Sequence, residues 1–207
     1  MASLTEIMSP FSGQRLNEWF SDLIELWHDT APIEPTEYQS PKGMTQWLHY
    51  QNFVVWHLEE MLRHNDIKPD KIHRLEQAVD KHTNQRMDVL EQIDIWIDNV
   101  LETAGIAPAD GTPVHSETPA NIINRLSVLS LKIFHLKERL DNDNLGKEDK
   151  HTVNLRFRIL EEQVRDVSKA LDQLLLDLRQ ARKKHKVYRQ FKIYNDPSFH
   201  PELYSEK

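Results

Sequence analysis

The chain has 207 residues, a formal net charge of −7, no cysteine and only five glycines. This length suits one domain with a buried core, and the lack of cysteine excludes disulfides, thiolate metal sites and cysteine nucleophiles. The scarcity of glycine argues against a glycine-rich phosphate loop, and the negative charge makes nucleic acid an unexpected partner. There is no apolar run of about 18 residues and no basic, apolar leader, so we expect neither a transmembrane segment nor a signal peptide.

Apolar residues recur with a period near 3.6, which predicts an all-α fold. We expect a single helical-bundle domain over 1–207, with a helical core at about 14–195 and an extended tail at 196–207. In chain order, the predicted helices cover about 14–28, 44–64, 69–101, 119–140 and 148–194. Pro69 and Pro119 suit the first position of a helix, and Thr118 is a suitable N-cap for the fourth.

The fifth predicted helix has the most regular pattern. Its apolar positions alternate spacings of three and four over five heptads, which makes a narrow seam for packing along neighbouring helices. The seam consists of Val153, Phe157, Leu160, Val164, Val167, Leu171, Leu174, Leu178, Ala181, His185 and Tyr188. It can serve an intramolecular bundle or a homodimer. We favour the bundle, because the other helices also need apolar partners.

Three predicted helices each carry a histidine directly after a large aromatic residue, in the pairs Trp27-His28, Trp56-His57 and Phe134-His135. Two of these histidines begin the same unit, His57-x-x-Glu60 and His135-x-x-Glu138, which places imidazole and carboxylate on one side of a helix. Arg86 lies within the apolar face of the third helix and needs a carboxylate partner if it is buried. We expect these groups to meet inside the bundle, with Glu60 or Glu138 pairing with Arg86.

Three interpretations of this cluster stay open. It can be a buried polar network that sets the register of the helices. It can be a divalent metal site with His28, His57 and His135 as ligands, although the usual di-iron bundle motif has the reverse order, Glu-x-x-His. It can also be a metal-free pocket in which Arg86 meets an anion. The candidate ligand-binding residues are His57, Glu60, Arg86, Lys132, His135 and Glu138.

Two further groups of charged residues stand out. The polar side of the third helix carries Asp80, Asn84, Asp88, Glu91 and Asp98, which form either a solvated face or, together with Asp94, a cleft for acid–base chemistry. Between residues 179 and 192 there are seven Lys or Arg and no acid, more than a helix macrodipole explains. That basic run predicts an anion-binding patch or a plain solvated face; its candidate residues are Arg182, Lys183, Lys184, Lys186, Arg189 and Lys192.

Four stretches of the sequence resemble the signatures of a bacterial family, domain of unknown function 4254: NFVVWHLEEMLR, DKHTNQRMDVLEQID, SETPANIINRLSVLSLKIFHLKE and KVYRQFKIYNDPSFHPELY. The resemblance covers nearly the whole chain after its first dozen or so residues. It implies a cytoplasmic, all-helical protein with no assigned catalytic activity. Genes of this family often lie beside glycosyltransferase genes of cell-envelope polysaccharide or lipopolysaccharide assembly.

The family's pattern falls on Trp56, His57, Glu60, Asp80, Arg86, Asp88, Glu91, Asp94, Glu117, Arg125, Lys132, His135 and the segment 194–197. The chain departs from it at Glu60, where Asp is expected, and at Asn124, where Asp usually precedes the arginine. Our leading hypothesis is a noncatalytic binding or accessory protein in envelope glycan assembly that recognises an anionic ligand, such as a phosphorylated glycan, or a partner enzyme, such as a glycosyltransferase. The alternatives are a metal-dependent hydrolase or transferase with a His/Glu site and a helical dimerisation module. No nucleophile–base pair or cofactor loop decides among them, and we expect no cofactor unless the histidines bind a divalent metal.

Overall fold

The computed structural model of the chain describes residues 3–141, 146–189 and 198, and these residues form no β-strand. The five predicted helices correspond to α2 (Gly13–Asp29), α3 (Pro41–Leu62), α4 (Pro69–Thr103), α5 (Pro119–Leu140) and α6 (Lys147–Arg179). A short helix α1 (Leu4–Met8) and a 3-10 turn (Ser9–Phe11) precede them. The predicted all-α bundle with a long C-terminal helix is confirmed. Within the described ranges, every helix is too short or too polar to serve as a membrane span.

The helices begin where the sequence supplies a cap and a proline. Ser40 Oγ accepts the Gly43 N–H at 3.0 Å, and Pro41 occupies the first position of α3, three residues before the predicted start. Thr118 caps α5 in the same way, with Pro119 as its first residue. A proline is tolerated there because the first N–H groups of a helix have no intrahelical acceptor, so a missing one costs nothing.

The bundle consists of two helix pairs with α2 packed across one of them. α3 lies along α4, α5 lies along α6, and α2 contacts both α5 and α6. Each long helix contributes fully buried apolar side chains to the core, represented by Phe20, Leu48, Ile93, Leu126 and Leu171. The α6 seam is buried from Val164 to Leu178 and only partly buried at Val153, Phe157 and Leu160. The bundle therefore uses the C-terminal half of this seam.

The first turn of α2 is in close contact with the backbone of α6. A Cβ atom on Gly13 would lie 2.5 Å from the Cα and carbonyl oxygen of Ser168, so no larger residue fits without movement. The Gly13 N–H donates to the carboxylate of Asp172 at 2.9 Å. This carboxylate on α6 accepts one of the unpaired N–H groups at the start of α2 and places a negative charge near the positive end of its dipole.

The prediction that the last helix continues to about residue 194 is wrong, because α6 ends at Arg179. Ala181 has a left-handed backbone with φ of 54°. The Arg182 N–H donates to the Asp177 carbonyl at 2.8 Å, and the Ala181 N–H donates to the Leu178 carbonyl at 3.0 Å. These two bonds form a Schellman motif, which ends helices and usually has glycine at the left-handed position.

The chain then returns alongside the loop that joins α4 and α5. Lys184 exchanges backbone hydrogen bonds with this loop, accepting from the His115 N–H at 2.7 Å and donating to the Pro113 carbonyl at 3.0 Å. His185 and Tyr188, which were predicted to continue the helical seam, therefore lie outside any helix. The predicted helical stretch at 190–195 and, apart from residue 198, the predicted tail at 196–207 fall outside the described residues.

Candidate functional site

Three imidazoles from three different helices meet at one place. His28 lies at the end of α2, His57 in the last turns of α3 and His135 in the second half of α5. The ring centroids of His57 and His135 are 5.5 Å apart, and the Nε2 atoms of His28 and His57 are 3.3 Å apart. Each imidazole offers one nitrogen within 4.8 Å of the other two, so the cluster could hold a metal ion.

Each imidazole is oriented by a hydrogen bond at its Nδ1 atom. His28 donates to the Ile24 carbonyl at 2.7 Å, and His57 donates to the Phe53 carbonyl at 2.8 Å. Carbonyl oxygens only accept, so both rings carry their hydrogen on Nδ1 and present a lone pair at Nε2. His135 Nδ1 bonds a carboxylate oxygen of Glu138 at 2.9 Å, which places its lone pair on Nε2 as well. Metal-binding histidines in proteins are held by partners of these two kinds.

The facing nitrogens of His28 and His57 are both acceptors in this arrangement. Two lone pairs 3.3 Å apart repel each other unless a proton or a metal ion lies between them. Two nitrogens bound tetrahedrally to one zinc ion are about 3.3 Å apart, given Zn–N bonds of about 2.0–2.1 Å. The observed separation therefore equals that of two ligands of a tetrahedral ion.

His135 supplies the buried side of the cluster. Its Nε2 atom is buried and has no hydrogen-bond partner among the described residues. Burial lowers the pKa of His135, while the hydrogen bond to Glu138 and the charge of Glu60 act in the opposite direction. The net effect favours the neutral imidazole, which is the form that binds metal ions.

Aromatic rings enclose the three imidazoles. Trp56 stacks on His135 with a centroid distance of 4.9 Å and an interplanar angle of 2°. Phe134 stacks on His28 at 4.2 Å, so the aromatic neighbour of one histidine packs against another. The Trp56 indole N–H donates to Glu60 Oε1 at 2.9 Å, which places this second carboxylate beside the cluster. Such packing restricts ring rotation and keeps the nitrogen positions defined.

A comparison with family models matches residues 43–187 to the family described as "Protein of unknown function (DUF4254)". This segment is well over half of the chain. The chain belongs to this family. A search of curated proteins and a search of solved structures found no match. The DUF4254 segment contains His57 and His135 but begins after His28, so the third imidazole comes from outside the matched segment.

Glu60 and Asn124, the two positions singled out in the sequence, have a clear place in the structure. Glu60 reaches the indole of Trp56 one turn away on α3. Asn124 accepts a hydrogen bond from the Asn52 amide at 2.9 Å, a contact between α3 and α5. Next to it, Arg125 pairs with Glu117, with Nη1 and Oε1 2.7 Å apart, at the start of α5.

The structure does not pair Arg86 with either predicted glutamate. Among the described residues, Arg86 forms no ion pair with Glu60 or Glu138, and its Nη1 donates to Asn52 Oδ1 at 3.1 Å. Burial lowers the pKa of the Arg86 guanidinium, which still carries its charge at any ordinary pH. The prediction of a carboxylate partner is wrong because a neutral amide from α3 occupies that position.

A second polar network continues from this amide into the core. The Asn52 amide nitrogen donates to Ser127 Oγ at 2.9 Å, and Ser127 Oγ in turn donates to His49 Nδ1 at 2.7 Å. His49 Nε2 donates to the Phe20 carbonyl at 3.1 Å. This chain of bonds joins α2, α3 and α5 and is separate from the three-histidine cluster. The sequence contains no signal for the partners of His49.

Two cavities adjoin the cluster through Trp56. A cavity of about 520 Å³ is lined by Trp56, Lys132, His135, Leu136, Arg139, Arg156, Ile159 and Leu160. A cavity of about 440 Å³ is lined by Asn52, Val55, Trp56, Glu59, Glu60, Arg63, Arg86, Val128 and Leu131. Of the predicted ligand-binding residues, Lys132 and His135 therefore line one cavity and Glu60 and Arg86 line the other. Glu138 contacts His135 and lines neither of them.

The predicted anion patch does not form on a helix. Arg182 and Lys183 turn back to the Asp177 carboxylate, with nitrogen–oxygen distances of 2.6 and 3.3 Å. The Arg182 hydrogen bond is the main reason that the pKa of Asp177 is lowered. Arg189 Nε lies 3.8 Å from Glu91 Oε1. Lys184 and Lys186 follow in the nonhelical segment, and Lys192 lies outside the described residues.

Asp94 does not line a cleft. Its carboxylate is buried and accepts the Ala120 N–H at 3.0 Å, so it caps the N-terminus of α5 from the neighbouring helix α4. Burial raises the pKa of Asp94 to about 6, against the hydrogen bonds from Thr118 and Ala120. Further along α4, Asp98 Oδ1 lies 2.9 Å from Nε2 of the buried His185. Neither contact could be read from the sequence, because both depend on where other segments pack.

Proposed function

We propose that the protein binds one divalent transition-metal ion, with zinc as the first choice, through His28, His57 and His135. The single observation that carries the proposal is the convergence of three imidazoles with their Nδ1 atoms already hydrogen-bonded. Neutral imidazole is a good ligand for zinc, copper, iron and nickel. Three protein ligands leave a fourth tetrahedral position, which is the composition of catalytic rather than structural zinc sites.

We infer a metal-dependent hydrolase or transferase that acts on an anionic, phosphorylated substrate. When bound, the ion would supply Lewis-acid activation of a water molecule or a phosphoryl oxygen. The chain itself orients the imidazoles through Ile24, Phe53 and Glu138 and limits access of water with Trp56 and Phe134. Glu60, held by the Trp56 indole, is the candidate proton acceptor, and solvent reaches the cluster from the exposed side of His28.

Metal binding is tested with protein that carries no His tag, stripped of metal and titrated with zinc in a calorimeter. We expect one ion per chain. His28→Gln removes a ligand at an exposed position, so folding should be preserved. The affinity for zinc should fall more than about 100-fold, which is more than the loss expected for a residue that only orients a ligand. His151→Gln, on the exposed face of α6, is the matched control and should bind zinc normally. Less than about 0.2 zinc per chain, or equal effects of the two variants, would refute the proposal.

Activity is tested by following phosphate release from a panel of phosphate monoesters and diesters, with and without zinc. Turnover that depends on zinc and is lost in His57→Gln would support the hydrolase. Activity that persists in the metal-free protein would count against any role of the cluster in catalysis. The His151→Gln control again shows whether losing an arbitrary imidazole matters.

The second candidate is a noncatalytic accessory protein of cell-envelope glycan assembly, acting in the cytoplasm beside a glycosyltransferase, as the family resemblance implies. The specific observation in its favour is that Lys132 and Arg86 each line a cavity next to the cluster, where they could meet a phosphorylated glycan. Calorimetry with nucleotide sugars and phosphorylated glycan intermediates tests it. Binding without turnover would favour this candidate over the enzyme, and absence of binding would refute its ligand step.

A homodimer stays a separate prediction. Leu155 and Ile159 are exposed large apolar side chains on the N-terminal half of α6, where the seam is only partly buried. Measurement of the molecular mass in solution tests it, since a clean monomer at micromolar concentration would exclude a dimerisation module.

A further inference from the structure

The 520 Å³ cavity beside the histidine cluster combines an apolar floor with cations. Leu136, Ile159, Leu160 and the Trp56 ring form its apolar part. Lys132, Arg139 and Arg156 also line it, and all three are exposed. Among the residues that the structure describes, none of those lining the cavity is acidic, although the chain as a whole is acidic. Its size is in the range of pockets that hold small organic ligands.

The three cations have no ion pair among the residues that the structure describes, whereas Arg182 and Lys183 do. Lys132 and Arg139 project from α5 and Arg156 from α6, so the charge comes from both walls of the cavity. Charges that converge from two helices around an apolar surface favour a ligand with an anionic head and an apolar body. An inorganic anion would leave the apolar surface in water, and an uncharged hydrocarbon would make no contact with the three cationic groups.

We propose that this cavity binds the alkyl chain of an alkyl phosphate, with its phosphate group held by Lys132, Arg139 and Arg156. The inference rests on the proposed metal-dependent function, because His135 and Trp56 belong both to the cavity wall and to the cluster. It names the substrate class of that site: a single-chain alkyl phosphate, soluble and free of any membrane.

The probes are octyl phosphate, butyl phosphate, octanol and inorganic phosphate, each measured by calorimetry below the concentration at which octyl phosphate aggregates. Each methylene buried in an apolar site strengthens binding by about fourfold. We therefore expect octyl phosphate to bind at least about tenfold more tightly than butyl phosphate, even with part of its chain in water. Octanol and inorganic phosphate should each bind at least about tenfold more weakly than octyl phosphate, because each lacks one half of the interaction.

Matched variants on α6 separate the cavity from the general surface. Ile159 and Leu155 are 46% and 55% exposed, one turn apart, so glutamate at either position should leave the fold intact. Only Ile159 lines the cavity, and Ile159→Glu should weaken octyl phosphate binding at least about tenfold while Leu155→Glu has no effect. Arg156→Gln should weaken it as well, whereas Arg158→Gln, at a second exposed arginine outside the lining, should not.

The outcomes separate this inference from the metal proposal. The alkyl phosphate site would be overturned if octyl phosphate bound no better than butyl or inorganic phosphate. It would also be overturned if Ile159→Glu and Leu155→Glu lost equal affinity for octyl phosphate. Neither result would affect the zinc proposal. A protein that binds octyl phosphate in the expected pattern but takes up no zinc would support the cavity and overturn the proposed metal function. Zinc titration of Ile159→Glu serves as the cross-check and should match the unsubstituted chain.

Discussion

The buried imidazole of His49 should make the fold sensitive to acid. Its side chain is fully buried and stacks on Phe20, with ring centroids 4.4 Å apart. Burial lowers the pKa of His49 from its ordinary 6.5 to about 3, and the hydrogen bond to the Phe20 carbonyl opposes this only in part. His49 Nδ1 accepts a hydrogen bond from the Ser127 hydroxyl in the native state. A proton added to Nδ1 would point at this hydroxyl, whose hydrogen would then have to rotate away.

The sign follows from the lowered native pKa. The unfolded chain takes up a proton on this imidazole below about pH 6.5, and the native state takes it up only near pH 3. The stability that neutral His49 contributes is therefore fully present above pH 6.5 and is lost as the pH falls towards 3. Over the whole window the loss is about 5 kcal/mol, and at pH 5 it is already about 2 kcal/mol.

The assay is urea unfolding at pH 7.5, 6.5, 5.5 and 5.0 of the unsubstituted chain and of His49→Gln. Glutamine keeps an N–H donor and an acceptor at this position but does not titrate. We expect His49→Gln to be less stable at pH 7.5, because the amide packs less well on Phe20. The difference in free energy of unfolding between the two proteins should shrink by about 2 kcal/mol between pH 7.5 and pH 5.0. The reason is that only the unsubstituted chain loses stability when its unfolded state takes up a proton on this imidazole.

The control is His151→Gln, which removes an exposed imidazole from α6 and should follow the pH dependence of the unsubstituted chain. The other histidines are common to all three proteins, so their titration cancels in the comparison. Parallel stability curves for His49→Gln and the unsubstituted chain from pH 7.5 to 5.0 would refute the reasoning, because the native imidazole would then titrate as in the unfolded chain.

Three further predictions concern helix ends. Burial raises the pKa of Asp94 to about 6 from 3.8. The stability contributed by the protonated carboxyl is therefore complete below pH 3.8 and is lost as the pH rises through 6. Asp94→Asn, whose oxygen can still accept from the Ala120 N–H, should gain up to about 3 kcal/mol in free energy of unfolding relative to the unsubstituted chain between pH 4 and 8, measured by urea unfolding. Ala181→Gly should raise the thermal midpoint by about 1–4 °C, because φ of 54° strains alanine but not glycine; an unchanged or lower midpoint would contradict the Schellman motif. Gly13→Ala should lower the free energy of unfolding by about 1–3 kcal/mol, since its Cβ would lie 2.5 Å from Ser168; a neutral effect would mean that α2 and α6 separate easily.

Much of the architecture was predictable because local signals determine helices. The 3.6-residue period located five helices, and Thr118 with Pro119 marked the start of α5. The end of α6 was not predictable, because alanine at position 181 carries no sign of a left-handed backbone. The turn is held by the local pair of Asp177 with Arg182 and by the tertiary contact of Lys184 with the loop before α5.

The candidate site was likewise predictable only in part from the sequence. The spacing along each helix identified His57 with Glu60 and His135 with Glu138 as units on one face, and His28 as a third imidazole beside a tryptophan. Whether three imidazoles on three helices meet depends on how α2, α3 and α5 pack against each other. Helical period determines the direction of a side chain around its own axis, but the offsets and crossing angles between axes come from the interlocking of many core side chains. Only the folded bundle could therefore show His28 at 3.3 Å from His57, and Arg86 bonded to an amide instead of a glutamate.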